Sequence, residues 1–265
     1  MKKVALAVAV ILGFVVVQPV QASSQKSLVI IDSHFDSKVL APNIKCITIK
    51  NTDCVTTTVT SPSLSNAVNH GNAMAEVAKK QNSNLPIILL QSASVLPRTV
   101  NEVNAGNFID ALNWVNNNSS NVGAVSVSRF FNGNVGCSPA AVNTAPYGGV
   151  QKADATIRSL IATLKSKNIP VFVSTGNKAG TKIDYPACIT DTVSVGTGTL
   201  NSAGVLVSVH SLNSDTDYVG DYSINNFSSP VLGLIPHTTS AATVAVATQY
   251  LSTGTLISKV VKVNP

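Results

Sequence analysis

Ser240 stands where a hydroxyl could do chemistry. It is the second residue of Thr239-Ser-Ala-Ala-Thr-Val-Ala-Val-Ala-Thr-Gln-Tyr-Leu251, a run of small and apolar residues without Gly, Pro or charge. Such a run predicts a helix buried on most sides and packed too closely for large side chains. A Ser or Thr in a first turn satisfies orphan backbone N–H groups, and capping is the ordinary reason to find one there. The same place also suits a nucleophile, because the N–H groups and dipole of a helix start stabilise developing negative charge. A carboxylate and a carboxamide stand in comparable positions. Asp32 follows the β-branched run Leu28-Val-Ile-Ile31, and Gly176-Asn177 follow Val171-Phe-Val-Ser-Thr175. Both runs read as buried strands, and reactive groups of parallel sheets gather at the carboxyl ends of the strands. Taken singly, each has a plain explanation: a strand-end Asp is common, His70 is a surface or cap residue, and Gly-Asn is a turn.

The elements that must position these residues follow from hydrophobic periodicity. Short apolar runs predict strands at 27–31, 44–49, 85–90, 122–127, 170–174 and 192–196. Helical spacing appears between them. It covers the second half of 64–80 (Met74, Val77, Ala78, then Lys79-Lys80), 107–115 (Phe108, Leu112, Val115) and the long amphipathic stretch 150–167. Strands alternating with helices of this length predict an α/β architecture, a mostly parallel sheet covered on both faces. Residues 199–235, rich in Asn, Ser, Asp and Gly, read as short strands and turns, and 256–263 as a last strand. No repeat and no long linker divides the chain, so one domain is expected from residue 23 to 265.

The N-terminus points to export. Lys2 and Lys3 precede the uncharged, mostly apolar run Val4 to Val17, and Val20-Gln21-Ala22 follows. That is the charged, apolar and small-residue order of a secretory signal peptide, assigned to residues 1–22, with an exported chain beginning at Ser23. The apolar run is short for a membrane span and no second candidate follows, so no membrane span is expected after its removal. Of 265 residues, 45% are hydrophobic and 11% charged, a composition for a folded chain with a polar, uncharged surface. The net charge of +6 includes Lys2 and Lys3, and no Lys/Arg block argues for nucleic acid. Four cysteines in an exported chain predict two disulfides. Cys46 and Cys54 flank a short segment and Cys137 and Cys188 are far apart, but three pairings remain open. No ligand spacing suggests a metal site, and no cofactor is expected. His210 and His237 read as polar loop residues. Asp215, Asp217 and Asp221 read as solvated loop carboxylates, with only a faint hint of calcium.

Taken together, four segments resemble the subtilisin-like serine proteases, or subtilases. Val29-Ile-Ile-Asp32-Ser33 is similar to the strand that ends in their catalytic Asp. His70-Gly71, opening a helix through Ala75 and Val77, is similar to their His-Gly helix start. Val171-Phe-Val-Ser-Thr-Gly-Asn177 is similar to the strand that ends in Gly-Asn, and Thr239-Ser240-Ala-Ala242-Thr243 to the helix start bearing the nucleophile. Softer likenesses, Phe108 to Val115, Ala124 to Ser128, Thr192 to Gly196 and Asn226-Phe-Ser228, extend it over nearly the whole exported chain. The resemblance implies a three-layer fold and a serine endopeptidase working through an acyl-enzyme. Ser240 would be the nucleophile, His70 the general base and Asp32 the group orienting the imidazole. Asn177 and the Ser240 N–H would form the oxyanion hole. It further implies that Ser128, Arg129, Phe130 and Gly176 line the substrate cleft, that the substrate is a protein or peptide, and that the enzyme is a monomer.

The chain departs from the subtilase pattern at several places. Thr238 and His34 stand at usual glycines, Asn72-Ala73 stands for Thr-His, and Val244-Ala245 for Pro-His. Ser128-Arg129-Phe130 replaces Ser-Leu-Gly, so a narrow or shallow primary pocket is expected, with a substrate unlike that of degradative subtilases. Only residues 23–26 separate the signal from the first strand, and no inhibitory propeptide or zymogen cleavage is expected. Two other readings stand on the same residues: a protein-binding domain without turnover, and an esterase or amidase.

Overall fold

The computed structural model of the chain describes residues 25–32, 44–50, 52–54, 70–92, 105–128, 137–139, 144–176, 183–200, 206–211, 217–221, 228–229, 233–234, 239–255 and 260–262. The expected signal peptide, Arg129, Phe130, Asn177, Thr238 and His237 lie outside them. β-Branched and aliphatic runs build the strands β1 (Ser27–Asp32), β2 (Ile44–Thr48), β3 (Ile87–Gln91), β4 (Val122–Val127), β5 (Val171–Ser174) and β6 (Val193–Leu200). The later chain adds β7 (Leu206–Ser211), β8 (Tyr218–Asp221), the two-residue strands β9 (Ser228–Ser229) and β10 (Gly233–Leu234), and β11 (Val260–Lys262). The helices are α1 (His70–Gln81), α2 (Ala105–Asn117), α3 (Val150–Ser166) and α4 (Thr239–Thr253).

Among the described residues the main sheet has nine strands in the order β11-β8-β6-β5-β4-β1-β3-β2, with β7 also on β6. All pairings from β2 to β8 along this order are parallel. The additions β7 and β11 are antiparallel. This is the expected α/β class. Alternation along each strand divides the core in two. Val29, Ile31, Val125, Val127, Val171 and Val173 face α2 and α3. Leu28, Ile30, Ala124, Phe172 and Val195 face α1 and α4. A parallel sheet covered on both faces has little choice but apolar side chains on both, which is why its strands read as continuous runs.

The helix that begins at Thr239 is buried without a break from Thr239 to Thr248. Ala241, Ala242, Thr243, Val244 and Ala247 are fully inaccessible. Its composition is the condition for that position, since a larger side chain would force backbones apart.

The cysteines pair Cys46–Cys54 and Cys137–Cys188, spanning 8 and 51 residues. The Arg158 guanidinium donates to the Cys137 carbonyl at 2.9 Å, fastening the longer bridge to α3. Loop-closure entropy makes the longer bridge the more stabilising, by about 1.6 kcal/mol. Urea unfolding of the Cys→Ser pairs is expected to show the larger midpoint loss for Cys137 and Cys188. Equal losses would count against it.

Two loop assignments are corrected. His210 lies on strand β7 rather than in a loop. Asp217 is not merely solvated: its Oδ2 accepts hydrogen bonds from both the N–H and the hydroxyl of Ser194 at 2.8 Å. The Asp217 N–H returns a bond to Ser194 Oγ at 2.9 Å. This exchange fixes the start of β8 against β6.

Candidate active site

The register of the parallel strands brings their carboxyl ends into one line. Asp32 pairs with Gln91 on β3, Ile31 with Val127 on β4, and Val127 with Val173 on β5. Asp32, Ser128 and the Thr175-Gly176 pair therefore leave the sheet at the same edge. The Ser128 N–H donates to the Ile31 carbonyl at 3.4 Å. The backbone of Asp32 is fixed from the other side, where the N–H and the hydroxyl of Ser92 both donate to its carbonyl, at 3.0 and 3.1 Å.

Asp32 is fully buried and His70 is about one-fifth exposed, and the imidazole Nδ1 lies 2.6 Å from Asp32 Oδ2. Thirty-eight positions separate them in sequence. An ionised carboxylate can only accept, so Nδ1 carries the proton and donates it. The outer nitrogen, Nε2, of the neutral ring is then left with its lone pair. His70 is the first residue of α1, and α1 packs on α4 across the second core.

Ser240 is the second residue of α4 and is 5% exposed. Its hydroxyl donates to the Ser128 carbonyl at 2.7 Å. Asp32, His70, Ser240 and Ser128 are thus gathered at one sheet edge by three links: Asp32 to His70, Ser240 to Ser128, and Ser128 to Ile31. The hydroxyl is not given to the imidazole in this arrangement. Gly176 has φ 99°, a conformation that favours glycine. Of the four residues expected to line the cleft, Ser128 and Gly176 are thus placed at this edge.

Two residues at this edge escaped the sequence reading. Ser92 is one; its only signal was a polar pair, Gln91-Ser92, closing an aliphatic strand. Asp184 is the other. Its N–H donates to the Thr175 carbonyl at 3.3 Å, and its carboxylate lies against Gly176 in the space a Cβ at that position would fill. A lone Asp before Tyr-Pro carries no sequence signal of that contact.

The order of strands and the placement of helices are those of the fold of the subtilisin-like serine proteases. Among solved structures, the prenylagaramide maturation protease PagA superposes with a TM-score of 0.57 at 14% identity, over 84% of this chain and 73% of that one. The nisin leader peptidase NisP from Lactococcus lactis gives 0.56 at 12%, over 88% and 80%. Pseudomonas sedolisin, a serine-carboxyl proteinase, gives 0.54 at 13%, over 87% and 76%. At these identities the likeness is one of fold. No family model and no curated protein sequence matches the chain.

Proposed function

We propose that the protein is an exported serine endopeptidase that cleaves peptide bonds through an acyl-enzyme. The observation that carries this reading is the Asp32–His70 contact of 2.6 Å, made at the sheet edge to which Ser240 is also bound. Ser240 Oγ attacks the carbonyl carbon and forms the C–O bond, while its proton passes to His70 Nε2. The imidazolium so formed is stabilised by Asp32, then returns the proton to the departing amine as the C–N bond breaks. The Asn177 side chain and the Ser240 N–H receive the oxyanion, a donor pair of which each member typically contributes about 10²–10³ in rate. Water then repeats the sequence on the ester.

The signal peptide at 1–22, a single catalytic domain over 23–265 and a monomeric state belong to the same proposal. The two disulfides support export to an oxidising compartment. Among the described residues no helix is long and apolar enough to cross a membrane.

One observation favours a second reading, a peptide-binding domain without turnover: the Ser240 hydroxyl is held by Ser128 and not by His70. A fluorophosphonate probe separates the two. Covalent labelling of the folded protein, abolished in Ser240→Ala and His70→Ala, is expected. Absence of labelling in a protein with a native circular dichroism spectrum would leave only the binding domain. Labelling without cleavage of any peptide in a mixed library would point to an esterase or amidase.

A further inference from the structure

We infer that the Cys137–Cys188 disulfide is a redox switch on the candidate active site: the bridged protein turns substrate over, and the dithiol form, still folded, does so poorly. The inference rests on the peptidase reading and adds a control to it. The two cysteines lie on the chain segments that follow two neighbouring strands of the site. Beyond β4 the sequence runs from Ser128, whose carbonyl holds the Ser240 hydroxyl at 2.7 Å, to Cys137. Beyond β5 it runs from Thr175-Gly176, next to Asn177, to Cys188. The second segment returns to its own strand, because the Asp184 N–H donates to the Thr175 carbonyl at 3.3 Å. At that length the hydrogen bond is weak, and the disulfide is the covalent tie that supports it. One bridge therefore cross-links the segment leading from the Ser240 contact with the segment leading from the oxyanion side.

Three observations mark this bridge, rather than Cys46–Cys54, as the one that opens. Cys137 is exposed and Cys188 half-buried, whereas Cys54 is buried. The Arg158 guanidinium lies 3.4 Å from Cys137 Sγ. A cation beside a sulfur favours the thiolate, which makes Cys137 the better leaving group. Cys46–Cys54, by contrast, closes a short loop beside β2, at an edge of the sheet. The thiolate of a dithiol attacks Cys188 Sγ, the S–S bond breaks, and Cys137 leaves as a thiolate beside Arg158. The second thiol of the reductant then displaces Cys188 from the mixed disulfide. Two electrons and two protons pass from the dithiol to the protein, the reductant leaves as its own disulfide, and exchange with an oxidised thiol reverses the step. Ile183, Tyr185 and Ala187 remain anchored in the first core, so the domain keeps its fold while the tie to the site is lost. A displacement of about 1 Å near catalytic groups can cost about 10²-fold in rate.

The test measures the full protein before and after dithiothreitol, well below its unfolding temperature. Alkylation and mass spectrometry show which bridge has opened, and circular dichroism is recorded on the same samples. Opening of Cys137–Cys188 is expected first, with a fall in kcat/KM for a fluorogenic peptide of about 10–100-fold, a native spectrum, and recovery in oxidised glutathione. Cys137→Ser/Cys188→Ser has that low activity without reductant. Cys46→Ser/Cys54→Ser keeps the wild-type activity and loses it to dithiothreitol. In Arg158→Gln the bridge opens about 3–10-fold more slowly, since the departing thiolate has lost its cation. A bridge that only staples the fold would leave activity unchanged when opened, and that result would overturn the inference. So would a loss of activity seen only together with the native spectrum. Fluorophosphonate labelling keeps the two readings apart. Oxidised protein that is labelled, and equally active once opened, removes this inference alone; oxidised protein that is not labelled removes the peptidase reading and the inference with it.

Discussion

Replacing Asp32 by Asn lowers kcat by about 10⁴-fold and leaves KM nearly unchanged. The reason is the proton count at His70. The buried carboxylate 2.6 Å from Nδ1 can only accept, so it fixes the tautomer whose Nε2 is free to take the Ser240 proton. A carboxamide can instead donate to Nδ1. That favours the tautomer with hydrogen on Nε2, which cannot act as base. It also removes the negative charge that stabilises the imidazolium. Steady-state hydrolysis of a fluorogenic peptide by the two proteins reads the effect directly. A loss smaller than about tenfold would mean that Asp32 and His70 do not work as a catalytic pair.

Replacing Phe172 by Ala destabilises the protein by about 3–5 kcal/mol. Phe172 is fully buried at the middle of β5, in the core beneath α4, and its ring centroid lies 5.7 Å from that of Tyr250. Truncation loses the transfer free energy of the ring and leaves a cavity that α4 cannot fill, because its buried side chains are small. Against a total stability of about 5–15 kcal/mol for a typical domain, that is a large share. Tyr250, only half-buried at the far end of α4, is expected to cost less on truncation. Urea unfolding, compared at constant slope, measures both. A loss below about 1 kcal/mol for Phe172→Ala would show that the α4 side of the sheet is loosely packed.

What the sequence made legible was what a single segment can carry. The aliphatic run ending at Asp32 and the small-residue run after Thr239 each imply one kind of burial, so β1 and α4 stand where periodicity places them. The amphipathic stretch at 150–167 is just as explicit, and its helix ends one residue short, at Ser166. Bringing Asp32, His70 and Ser240 to one edge took more than periodicity. It came from resemblance, because strand order is a property of the whole sheet. Contacts between distant backbones stayed hidden. Nothing near Asp184 announces that its N–H bonds Thr175, nor that a glycine makes room for its carboxylate. Asp217 looked like a loop carboxylate because its partner Ser194 lies 23 residues away on another strand. The Ser240 hydroxyl donates to the Ser128 carbonyl, 112 positions away in sequence, a contact no local pattern announces.

The burial of α4 also bears on how long such a molecule survives among its own kind. The helix is buried from Thr239 to Thr248, so native-state hydrogen exchange of its amides is expected to follow the global unfolding free energy. A second copy of the enzyme meets the same barrier, since a segment must be extended and exposed before it can be cut. If the protein is the proposed peptidase, autolysis within α4 is expected to follow global stability. On the proposed reading, Ser240 would act from a stretch of chain that is buried throughout.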